Sequence, residues 1–209
     1  MPTIRSCRPA ELDSLYAISL ATGHQGGNAS HLYEDGRLIG HIYAAPYAVL
    51  EPGLALVVED EEGVAGFAVG VSDTKRWHER LEAEWWPRLR QDYADPSATS
   101  PSEWSADQRR AFAIHRPELP PAPVVSVFPA HLHLNLLPRI QSRGVGSRLL
   151  SHWAARASAR GVQAVHVGVN RANPRAARFW AGQGFEPLPP EGGRTLWMGR
   201  HEGPPSRGA

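Results

Sequence analysis

Along this chain the spacing of apolar residues switches several times between a period of two and a helical period, and each switch marks an element. Thr3-Ile4-Arg5 predicts a short first strand, and Pro9 stands where a first helical turn tolerates a missing N–H. Leu12, Leu15, Tyr16 and Leu20 recur at helical spacing, and the glycine-rich run 23–28 ends that helix. Residues 29–52 are irregular, with loop and short helix predicted, and gather Tyr33, Tyr43 and Tyr47 near His31 and His41. Residues 54–58 and 64–71 predict a hairpin around an acidic turn. A helix is expected over 77–89, with Trp77, Leu81, Trp85 and Trp86 along one side. Between 93 and 123 Pro, Ser, Ala and charge take over, which predicts a surface insertion with one short helix around 106–114.

The segment HLHLNLLPRIQSRGVGSRLL, residues 131–150, alternates like a strand and then turns through Gln141-Ser142-Arg143-Gly144-Val145-Gly146. Leu149, Leu150, Trp153, Ala154 and Ala157 form the apolar stripe of the following helix, and Gly161 suits its C-terminus. A strand is expected over 165–169. Asn173-Pro174 then supplies an N-cap and first-turn proline for a helix carrying Ala176, Phe179 and Trp180. Residues 185–188 and 195–198 predict a closing hairpin, and 201–209 a disordered tail. The expected architecture is α/β: one domain over 1–200, a mixed sheet covered by helices, with a Pro-rich insertion around 94–123.

Composition narrows the function classes. A formal net charge of +1 gives no broad basic field for nucleic acid. Cys7 is the single cysteine, which excludes an intramolecular disulfide and fits a reducing, cytoplasmic setting. No apolar run approaches membrane-spanning length. The ten histidines are scattered without HExxH or CxxC spacing, so no metal site is expected. Monomer and homodimer are both compatible with the sequence.

The chemistry concentrates at the turn. A helix starting near Val145 leaves N–H groups without intrahelical partners, and these favour an anion such as a diphosphate. Gly144 and Gly146 let backbone approach it, and Arg139, Arg143 and Arg148 can add charge. The alternative is a glycine turn closing a βα unit with its arginines in solvent. GxxxxGK[ST] is absent, and the strand after the helix ends in Val169-Asn170 rather than an acid, which argues against ATP and NAD folds.

With its flanks, Asn173, the pair Phe179-Trp180 and Gly184-Phe185, the turn resembles the Gln/Arg-x-x-Gly-x-Gly/Ala signature of the GNAT superfamily of N-acetyltransferases. AHLHLNLLPRIQSRGVG, with the upstream GFAVGVSDT and EWWP, is similar to GNAT-like domains of bacteria and of protein O-GlcNAcases. The resemblance implies a GNAT fold: a central mixed, mostly antiparallel sheet with splayed parallel central strands and helices on both faces. It also implies acetyl-CoA as co-substrate and an amine acceptor, attacked directly in a ternary complex. Leu136 and Leu137 would present backbone to the pantetheine arm. Arg143, Gly144, Val145 and Gly146 would cradle the diphosphate, with Gln141 in the cofactor site at the turn's start and Asn173 near the arm or acting as an N-cap. Trp180 stands where many members carry a tyrosine that protonates the leaving thiolate; an indole N–H is no useful acid. A pseudoenzyme that only binds acyl-CoA or a peptide is therefore the alternative function.

The amine must lose a proton to attack a thioester. His131, His133 and Asn135 share one strand face. His133 reads as the base or as a buried histidine bonded to backbone. Asp73 reads as a binder of cationic substrate, a proton relay, or a strand-end aspartate turning the chain. Tyr43 and Tyr47 are expected to line the acceptor, and the tryptophans to pack.

Overall fold

A computed structural model describes residues 2–202. Its centre is a seven-stranded sheet in the order β1-β2-β3-β4-β5-β7-β6. The strands are β1 (Thr3–Ser6), β2 (Ala55–Asp60), β3 (Gly63–Val71), β4 (Ala130–Leu136), β5 (Ala164–Asn170), β6 (Glu186–Pro187) and β7 (Thr195–His201). Every neighbouring pair is antiparallel except β4 with β5. That parallel pair bonds only at Ala130↔Val165 and His131↔His166. Beyond this rung both strands run on unpaired with each other, to Leu136 and Asn170, so the sheet opens in a wedge at its centre.

Helices cover both faces. On one lie α8 (Val145–Ser158) and α9 (Pro174–Gly182), whose Leu149, Leu150, Trp153 and Trp180 pack on Leu132, Val165 and Val167. On the other lie α1 (Leu12–Thr22), α2 (Leu38–Tyr43), α3 (Ala45–Leu50), α4 (Thr74–Glu84), α5 (Trp86–Asp92) and α6 (Ala106–His115). Leu15, Ile18, Leu38, Tyr47, Trp77, Trp86 and Ile114 there bury Val57, Phe67 and Val69. The period of two along β4 sorts its residues: Leu132 joins the first core, while His131 and His133 face the second. No described helix is long and apolar enough to cross a membrane.

Three expectations change. The helix expected over 77–89 is two helices, broken at Trp85; Pro87 falls in the first turn of α5, where its lack of an N–H is harmless. The segment around 94–123 is not only surface. A capping box at Ser105 and Gln108 starts α6, which buries Ala111 and sets Ile114 into the second core, and α7 (Ala122–Val127) buries Val124 and Val125. His201, expected to open a disordered tail, closes β7 opposite Ala164, and the Glu202 N–H bonds to the Gln163 carbonyl. Residues 203–209 of that expected tail lie outside the described residues.

Candidate active site

The wedge between β4 and β5 is where this sheet can admit a ligand. The Leu137 N–H donates to the Ala65 carbonyl, so odd-numbered β4 residues bond to β3 and even-numbered ones turn their N–H and C=O toward the wedge. This corrects the expectation for Leu137. Its N–H is held by β3 and its carbonyl accepts from the Ile140 N–H. Leu134 and the N–H of Leu136 are the groups aimed into the gap, because Gln141 Nε2 donates to the Leu136 carbonyl at 2.6 Å. Gln141 thus ties the turn to the strand end instead of facing a phosphate.

At the open end of the wedge the turn is tightly folded. Ser142 (φ 61°) and Gly144 (φ 71°) both sit in the left-handed region, which a non-glycine residue rarely adopts. The Arg148 N–H, bonded to the Gly144 carbonyl, is the first to close a helical turn of α8. The N–H groups of Val145, Gly146 and Ser147 therefore have no intrahelical acceptor. A Cβ on Gly144 would meet nothing within 4 Å, so the space before those donors is open. That arrangement fits a diphosphate.

Gly146 has a different reason from the one expected. It is buried, and a Cβ there would lie 3.0 Å from the Phe179 ring, so it lets α8 and α9 pack close together. Arg139 is also withdrawn from the turn: it forks onto Asp60 at 2.8 and 3.1 Å. Arg143 and Arg148 remain exposed, and Arg175 Nη2 reaches Ser142 Oγ at 3.4 Å. Asn173 is the N-cap of α9, accepting from the Ala176 N–H at 3.0 Å. Its amide nitrogen lies against the loop at Gly26, 3.1 Å from where a Cβ on that glycine would stand.

On the second face a chain of hydrogen bonds runs from backbone to His133. The Pro129 carbonyl accepts the Thr74 hydroxyl at 2.6 Å. With its proton so used, Thr74 Oγ1 accepts from His131 Nδ1 at 2.7 Å, which leaves His131 Nε2 a lone pair. The Tyr47 hydroxyl donates to that nitrogen at 2.8 Å and accepts from His133 Nε2 at 3.1 Å. His133 is thereby the Nε2–H tautomer with its lone pair on Nδ1. Burial, with the neighbouring His166, holds His133 down at about 4, and burial keeps His131 well below the usual imidazole range. Both rings are neutral at pH 7, as the chain requires.

Tyr47 therefore does not line the acceptor as expected. It is 4% exposed, stacks on Trp77 at 4.5 Å, and orients both histidines; burial raises its own ionisation. Tyr43 is half-buried: its ring lies edge-on to His133 at 5.4 Å, and its hydroxyl accepts from Arg110 Nη1 at 3.1 Å. Asp73 is the N-cap of α4, taking the Arg76 N–H at 3.0 Å, and makes no bond to the histidines. Among the described residues no group of three or more His, Cys, Asp or Glu side chains could hold a metal ion.

A sequence model of the acetyltransferase (GNAT) family matches residues 79–185, more than half of the chain. The chain belongs to the GNAT family. The crystal structure of SsHAT shares 34% identity with this GNAT domain at a TM-score of 0.89, covering 96% of this chain and 98% of that one. Protein O-GlcNAcase of Rattus norvegicus is 22% identical over 201 residues, 91% of this chain; the chain spans 21% of that relative's length. A Sinorhizobium meliloti phosphinothricin acetyltransferase, solved in complex with AcCoA, shares the fold at 16% identity and a TM-score of 0.56, covering 97% of this chain and 89% of that one.

In the GNAT domain Trp180 is a core residue. It is 7% exposed and packs edge-on between Phe179 and Phe185, at 5.1 and 4.9 Å. Thr74 and Arg110 were not singled out from the sequence, and Tyr33 was grouped with Tyr43 and Tyr47 without a role of its own. Thr74 carries one signal, its place directly after a strand-end aspartate that caps a helix. Arg110 carries none, because it belongs to a segment whose composition reads as surface.

Proposed function

We propose that this GNAT domain transfers an acetyl group from acetyl-CoA to a primary amine of a small molecule or peptide, by direct attack in a ternary complex in the cytoplasm. The observation that carries the reading is the position of His133. It stands two residues past the last β4–β5 rung, its Nδ1 lone pair unclaimed, on the opposite sheet face from the anion-binding turn. The turn and the N-terminus of α8 hold the diphosphate, and Leu134 with the Leu136 N–H meet the pantetheine arm. The thioester supplies the electrophile: the amine forms the C–N bond, the C–S pair leaves with sulfur, and the amine proton passes to His133 Nδ1.

So weak a base does not strip a ground-state ammonium of pKa ~10.4. His133 takes the proton as the C–N bond forms and the nitrogen becomes acidic. Its own Nε2–H then points at Tyr47, and Tyr47 points at His131, so the charge can be shared along the chain. Cys7 is no acyl carrier: burial first, with Glu11 nearby, pushes its thiol to about 11, and the thiolate is the nucleophilic form. Trp180 supplies no proton to the departing thiolate, and this motivates the second reading, a module that binds acyl-CoA without turnover.

Calorimetry with acetyl-CoA, followed by thiol release over an amine panel, separates the two. Binding with amine-dependent release is expected. Binding with no release for any amine points to the module, and no binding overturns both.

A further inference from the structure

Beside the second core lies a cation that the proposed reaction does not use and that no carboxylate among the described residues balances. Arg110, on α6, is half-buried, and its Nε and Nη1 donate to the Tyr33 and Tyr43 hydroxyls at 3.0 and 3.1 Å. Its guanidinium carbon lies 5.4 Å from the centre of the Tyr43 ring. Among the described residues it has no carboxylate within 4.0 Å, whereas Arg5, Arg37, Arg80, Arg90 and Arg139 each have one. Two acids of the adjoining segments are committed elsewhere. Asp107, one turn earlier on α6, accepts the Glu34 and Asp35 N–H groups, and Asp35 accepts the Tyr93 hydroxyl.

Withdrawing a guanidinium from water with only neutral hydroxyls as partners is costly, and an anion relieves the cost. Nη2 donates to no protein acceptor among the described residues, so the edge it shares with Nη1 is available. Position gives this charge its meaning. Tyr43 touches the guanidinium with its hydroxyl and His133 with its ring, so cation and base are one side chain apart.

We propose that Arg110, framed by Tyr33 and Tyr43, is the acceptor-anion subsite: the amine delivered to His133 belongs to a molecule that also carries a carboxylate. The inference rests on the acetyltransfer reading and narrows its acceptor to amino acids or peptide segments with a carboxylate near the reacting amine. A planar carboxylate matches one guanidinium edge with two parallel N–H···O bonds, and one cation balances its single charge.

The test pairs each amine with its own amide: L-phenylalanine, L-glutamine, β-alanine and γ-aminobutyrate against their primary amides. Binding is followed by calorimetry on the CoA-saturated chain, and turnover by thiol release. The amides carry the less basic amines, so preference for an acid cannot arise from amine ionisation. At least one acid is expected to exceed its amide tenfold or more in affinity or kcat/KM. In Arg110→Gln that ratio should collapse toward one with acetyl-CoA affinity retained, and Arg110→Lys should restore part of it. A purely structural arginine would lower both members of a pair equally. Wild-type chain that prefers no acid over its amide, or binds none, overturns the subsite. Because binding is read separately, acid preference without thiol release retains the subsite while rejecting the acetyltransfer reading.

Discussion

The Tyr47 hydroxyl stands 3.1 Å from Nε2 of His133, and this contact decides which nitrogen of that ring is a base. The decision is made remotely. The Pro129 carbonyl takes the Thr74 proton, and each later donor and acceptor role follows in turn through His131 to Tyr47.

Tyr47→Phe keeps the ring stacked on Trp77 but removes the hydroxyl that joins the two histidines. Two buried nitrogens lose a partner, so the variant should be destabilised by about 1–3 kcal/mol in denaturant titration. Because Tyr47 acts by positioning His133, kcat should fall between about 10- and 100-fold with acetyl-CoA affinity retained. The acid limb of the pH–rate profile should also move; a purely structural tyrosine would leave that limb in place.

Stability should fall with acid earlier than carboxylates alone dictate. Burial lowers the folded-state values of His41, His131, His133 and His166 below the ordinary ~6.5 of an unfolded chain. Between those values the unfolded state binds more protons, so their contribution is fully present above pH ~6.5 and is lost toward the folded values, about 4 for His133. Paired carboxylates such as Glu11 and Glu82, whose values are also lowered, weaken the fold only from pH ~4.3 downward. Denaturation midpoints should decline from pH 6.5 to 5. Flat midpoints across that interval would count against neutral buried histidines.

The two glycines of the turn should fail differently. Gly144→Asp puts a carboxylate in front of the free N–H groups, at a left-handed position that aspartate tolerates better than most residues. Acetyl-CoA binding should be lost, with melting little changed. Gly146→Val drives side-chain carbon toward Phe179 and should cost about 1–3 kcal/mol of stability. Calorimetry and thermal melts on both variants check the contrast.

Trp180 should behave as packing. Trp180→Ala is expected to cost about 3–5 kcal/mol, while Trp180→Phe, which keeps a ring between Phe179 and Phe185, should change kcat less than about threefold. A large kcat loss in Trp180→Phe with stability intact would return the indole N–H to the chemistry.

Much of the fold is legible in the sequence because its signals are local. The alternation in HLHLNL, the proline and asparagine at the start of α9 and the glycines after β4 each act within a few residues. The same alternation put His131 and His133 on one face. The sequence does not say what that face meets, since Tyr47 and Thr74 arrive from positions far along the chain. Leu137 was expected, with Leu136, to present backbone to the pantetheine arm because the family resemblance implies it. Only the register with Ala65 shows that its backbone is already engaged. Arg110 was hidden for the complementary reason: Pro- and Ser-rich flanks read as surface, and tertiary packing of α6 overrides them.

The most direct measurement is the thiol-release rate of His133→Ala against wild type, at saturating acetyl-CoA and with an amine the wild type uses. Acetyl-CoA affinity should be retained and kcat should fall by about 100-fold or more, the range expected when a positioned base is removed. An unchanged kcat and pH–rate profile in His133→Ala would contradict the account.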